Sequence, residues 1–97
     1  MKQARITREI AEKLAISALS FLAGEPERLG AFLAATGIGP EAIRKAAADP
    51  AFLAGVLDFV AADEPLLLAV AEHAGVTPET VERAHAALSG QWEREVP

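Results

Sequence analysis

Two histidines, His73 and His85, and the carboxylates near them are the residues of this chain best suited to chemistry. With Glu72 and Glu82 they make a candidate metal set, yet the two imidazoles stand 12 residues apart. They lack the i, i+4 spacing that sets two histidines on one helix face. His85 falls between Val81 and Leu88 at helical spacing, so a partly buried ring satisfied by a backbone carbonyl is expected. His73 precedes Gly75 at a helix end, where the negative pole of the helix dipole favours an imidazolium. Asp58, Asp63 and Glu64 offer carboxylates for acid–base work, but the simpler assignment leaves Asp58 on a solvated face and makes Asp63 or Glu64 a helix cap. Ser17 and Ser20 have no histidine near in sequence, and no glycine-rich phosphate loop is present. The expectation is a protein that is not an enzyme, with no metal and no cofactor.

The elements that would position these groups are announced by turn residues. Thr7 is placed to cap a first helix ending at Gly24, a residue that tolerates the left-handed stop conformation. Within it Ile10, Leu14, Ser17 or Ala18, Phe21 and Leu22 predict the buried stripe. Glu25-Pro26 starts a second helix, with Leu29, Phe32 and Leu33 inward, that stops at Gly37. Gly39-Pro40 starts a third from Glu41 to Ala48, and Asp49-Pro50 a fourth. Glu64-Pro65 starts a fifth ending at Gly75, and Thr77-Pro78 a sixth ending near Gly90. Proline suits the first turn of a helix, where its missing N–H has no intrahelical partner to lose. The expected fold class is all-α, a compact orthogonal bundle of about six short helices over residues 1–90, with a C-terminal tail at 91–97.

Composition supports that reading. Ninety-seven residues suffice for one core, and the 52% hydrophobic content is dominated by Ala and Leu, with no Tyr, a palette that favours helix over strand. The chain has no cysteine, so disulfides and thiolate metal sites are excluded. Basic residues precede the apolar run Leu14 to Gly24, as in an export signal. Glu9 and Glu12 interrupt them, however, and the helical period begins at Ile6, so a cytoplasmic protein outside the membrane is expected. The net charge of −5 is uneven: residues 1–13 carry four basic and two acidic groups, residues 14–48 three of each, and residues 49–97 nine acidic against Arg83 and Arg94. The C-terminal half should repel polyanions.

Leu67 to Ala84 has the spacing of a helix-turn-helix: apolar Val70, Ala74, Val76, Val81 and Ala84, small Ala71 at the helix approach, and Gly75 at the turn. The segment VAEHAGVTPETVER resembles the first two helices of lac-repressor-type regulators, matching at Val70, Ala71, Ala74 to Thr77, Thr80, Val81 and Arg83. That resemblance implies Thr77, Pro78, Glu79, Glu82 and Arg83 nearest to DNA. Glu79 and Glu82 in those positions oppose phosphate, and Arg83 is a lone cation. An offset of 38 aligns Ala18–Ala48 with Val56–Ala86 at ten identities in 31 positions, against about three by chance. Two pseudo-repeated three-helix units facing each other across one core would explain it. The first copy, Leu29 to Ala46, is less acidic and offers Arg28, Arg44 and Lys45. Candidate nucleic-acid contacts are therefore Arg28, Arg44, Lys45, Thr77, Thr80 and Arg83.

Residues 16–38 (ISALSFLAGEPERLGAFLAATGI) and 52–75 (FLAGVLDFVAADEPLLLAVAEHAG) resemble short helical proteins of an alphaproteobacterial domain-of-unknown-function family. The resemblance implies a bacterial cytoplasmic protein and brings no functional residue with it. The fourth and fifth helices are apolar around most of their circumference, so either they form the centre of the domain or they present a surface to a partner. The candidate interaction surface is Phe52, Phe59, Leu66 and Trp92. The expected function is a non-catalytic protein-interaction module whose partner is another protein or a second copy; the alternative is a DNA-binding helix-turn-helix regulator.

Overall fold

The computed structural model describes residues 7–89. They form α1 (Arg8–Ala23), α2 (Pro26–Thr36), a 3-10 turn (Pro40–Ala42), α3 (Ile43–Ala46), α4 (Pro50–Ala61), α5 (Glu64–Ala74) and α6 (Pro78–Ser89). The protein is an all-α bundle, as the composition requires. Among the described residues no helix is long and apolar enough to cross a membrane.

The helix starts follow the local chemistry. Thr7 Oγ1 accepts from the Ile10 N–H at 3.1 Å, Asp49 Oδ1 from Ala51 at 3.0 Å, and Asp63 Oδ1 from Leu66 at 3.3 Å. Each satisfies a backbone donor that the first helical turn leaves without a partner. Asp63, rather than Glu64, is thus the cap of α5. Prolines stand in the first turns of α2, α4 and α5. Gly37 and Gly75 stop α2 and α5 in the left-handed conformation, at φ 75° and 74°. Gly24, expected to do the same for α1, instead keeps φ −91° and ψ 2°, and its N–H closes a tightened last turn on the Phe21 carbonyl.

α1 is the hub, packing against α2, α4, α5 and α6. Its buried stripe is Ala11, Leu14, Ala15, Ala18, Leu19 and Leu22. Ile10, expected within that stripe, is 45% exposed. The apolar band of α1 is wide enough to be drawn in two phases, and the neighbours select the one that turns the alanines inward. Small side chains there let helices approach closely. Leu53, Val56, Leu57 and Val60 of α4, Leu66, Leu67, Val70 and Ala71 of α5, and Val81, Ala84 and Leu88 of α6 pack around it in the core.

α2 adds one residue to this cluster and α3 none. α2 buries only Phe32, whose ring meets Phe52 and Phe59 edge-on at centroid distances of 5.8 and 5.2 Å; α3 buries no residue completely. The expected third helix, Glu41 to Ala48, is reduced to the 3-10 turn and one α-turn. Ile43 is the only large apolar residue in that stretch, too little burial to offset the cost of nucleating a longer helix. The 38-residue repeat therefore survives in the paired left-handed glycines and the proline after each. It is not a symmetry of packing, because α6 is a full core helix and its counterpart α3 is not.

Replacing the fully buried Leu57 by Ala should destabilise the domain by about 2–5 kcal/mol, measured by urea unfolding. Gly75→Ala should cost about 1–2 kcal/mol because of its left-handed backbone, whereas Gly24→Ala should be neutral or stabilising by about 0.5 kcal/mol.

Candidate functional site

The α5–α6 pair has the shape the spacing predicts, with its inner face committed to the core. Val70, Ala71, Val81 and Ala84 are buried, and Ala74 and Val76 are half-buried between the helices. Thr77 caps α6: its Oγ1 accepts from the Thr80 N–H at 3.1 Å, and the two hydroxyl oxygens lie 2.9 Å apart. The candidate contacts Thr77 and Thr80 are thereby engaged with each other. On the outer face Glu79, Glu82 and Arg83 are exposed, and Glu64 and Glu72 are exposed on α5. A single guanidinium among four carboxylates makes a poor phosphate surface.

The structure does not bring Arg28, Arg44 and Lys45 onto one surface patch. The Arg28 guanidinium lies over the Phe21 ring, 5.9 Å from its centroid, and the His73 ring meets the same phenyl tilted at 54° and 5.3 Å. Arg44 belongs to a groove on another side of α1, and Lys45 is exposed on α3.

His85 departs from expectation in its partner. Its Nε2 lies 3.0 Å from Oδ1 of Asp58, a carboxylate on α4, rather than on a backbone carbonyl. Asp58, expected on a solvated face, is exposed and yet fixed to α6 by this contact. The pair was hidden in the sequence because 27 positions separate the residues and only the α4–α6 packing joins them. His73 and His85 thus meet a phenyl ring and a carboxylate in separate places. Among the described residues no three His, Asp or Glu side chains come together as a metal set.

The leading interaction candidates also move. Leu66 is fully buried in the core, and Phe52 and Phe59, partly buried, pack against Phe32. The inner faces of α4 and α5 are covered by α1 and α6. Trp92 lies outside the described residues. The large apolar side chains that are exposed are Ile10, Ile16 and Leu68.

Ile16 lines an open groove of about 770 Å³ between α1, α2 and the Pro40–Ala47 stretch. Its apolar walls include Leu19 and Ala23 of α1, Leu29 of α2 and Ile43 of α3; Glu41 and Arg44 are its charged members. The groove exists because α2 is anchored through Phe32 and the short α3 cannot fill the space beside α1. A helical wheel of α1 sets Ile16 away from Leu22, which was the available signal; the shortness of α3 was not readable from the chain.

A double-mutant cycle on Asp58→Ala and His85→Ala should return a coupling below about 1 kcal/mol, because the carboxylate is largely solvated. No curated protein and no solved structure gives a significant match to this chain. A family profile described as a protein of unknown function (DUF3572) matches residues 8–91, a span that covers α1 through α6. The chain belongs to that family, whose description assigns no activity.

Proposed function

We propose that the domain is a non-catalytic protein-interaction module that holds a partner in the groove between α1, α2 and α3. The observation that carries this reading is Ile16, 47% exposed on the central helix and set in a concave, mostly apolar wall. An apolar side chain left open in a concavity is a standing gain for any apolar group that covers it. Arg44 and Glu41 supply the polar contacts that would orient such a partner. The dispersal of His73, His85 and the carboxylates into separate contacts supports the non-catalytic part of the proposal.

The helix-turn-helix reading retains one supporting observation, the left-handed Gly75 followed by a Thr77-capped helix. Charge opposes it. Retention of a fluorescent DNA duplex at low salt tests it: none is expected, and retention that disappears in Arg83→Ala or Arg44→Ala would favour DNA binding over the groove.

Ile16→Glu tests the groove directly, since the side chain is exposed and its replacement leaves the core intact. In crosslinking capture from the native cell, the variant should lose partners that the unaltered protein retains. Identical capture by both proteins would overturn the proposal.

A further inference from the structure

Besides Ile16, an exposed large apolar residue stands on α5, and its surroundings complement the groove. Leu68 is 49% exposed, and Glu64 and Glu72 flank it at i−4 and i+4, both exposed. The three make one stripe along the outer face of α5, an apolar knob between two carboxylates. In the groove Ile16, Leu29 and Ile43 make an apolar hollow, with Arg44 and Glu41 lining it and Lys45 next in the chain. Among the described residues the ion pairs are Arg8–Glu12 and Asp58–His85, so these two cations and two carboxylates are engaged in none.

We infer that the groove takes a second copy of this chain, through the Glu64–Leu68–Glu72 stripe of that copy's α5. This rests on the groove being the interaction site and names its occupant. Leu68 enters the hollow beside Ile16, while Glu64 and Glu72 approach Arg44 and Lys45. Glu64 and Glu72 give the stripe two negative charges, whereas Arg44 and Lys45 outnumber Glu41 at the groove, so the two surfaces are of opposite sign.

The knob and hollow of one molecule cannot meet. Ile16, Leu19, Ser20 and Ala23 share one face of α1, and Phe21, which touches His73 of α5, lies roughly 150° around the helix from that face. The contact therefore forms between molecules, and where it is made once, head to tail, the pair keeps one free groove and one free knob.

Sedimentation equilibrium of the purified chain, from about 10 μM to about 1 mM, tests this. The average mass should rise with concentration, and 1 M salt should weaken the association by screening the charges. Leu68→Glu and Ile16→Glu should each weaken association at least about tenfold with unchanged circular dichroism. Mixed together, they should form a one-to-one pair and nothing larger, because the mixture contains only one intact groove-and-knob combination. A chain that stays monomeric throughout, or one whose association survives Leu68→Glu, overturns the inference. If the chain is monomeric while Ile16→Glu still loses its cellular partners, the groove stands as an interaction site for a different protein. If Ile16→Glu loses none, the groove falls as well.

Discussion

The close packing of α1 against its neighbours is the constraint from which the rest of this structure follows. Ala11, Ala15 and Ala18 are completely buried along one side of that helix, with Leu14, Leu19 and Leu22 beside them. Small residues at a helix–helix contact bring backbones together and leave little room for adjustment. α4, α5 and α6 then fix one another around α1 through Val56, Leu57, Val60, Val70 and Val81, none of which retains solvent exposure. To this core α2 adds only Phe32, and α3 adds no fully buried residue.

The small share of α2 and α3 in the core explains where function is read. α2 is tied down through Phe32, wedged against Phe52 and Phe59, and α3 is a single turn led in by Gly39 and Pro40. Together they shelter one side of α1 without sealing it, leaving Ile16 open beside Arg44. The acidic C-terminal helices cover the other sides. The helix-turn-helix shape of α5 and α6 is accordingly a way of building the core, since the residues that define the motif are those the core consumes.

What could be read from the chain was whatever is decided locally. The caps by Thr7 and Asp63, the first-turn prolines of α2, α4 and α5 and the left-handed Gly37 and Gly75 depend on a few adjacent residues, and all are where their chemistry puts them. What could not be read depends on which neighbour arrives. The burial of Ala11 in place of Ile10 is set by α4, α5 and α6, and the truncation of α3 by the absence of anything for a longer helix to bury against. The Asp58–His85 contact spans two helices distant in sequence. The cover over the interaction candidates has the same origin: hydrophobicity marks Phe52, Phe59 and Leu66 as needing cover but does not say that the fold buries Leu66 and partly covers the two phenyl rings. Leu68, one position from the buried Leu67, has the opposite fate only because of its angle on α5.

Native-state hydrogen exchange tests the division into a closed core and a lightly held flank most directly. Amides within α1, α4, α5 and α6 should exchange only through global unfolding. Those of α2 and α3 should exchange through a local opening, with a free energy lower by at least about 2 kcal/mol. Equal protection of Ala35 in α2 and Val60 in α4 would contradict the account, because it would make α2 an integral part of the core and the groove beside it a fixed feature of a single cooperative unit.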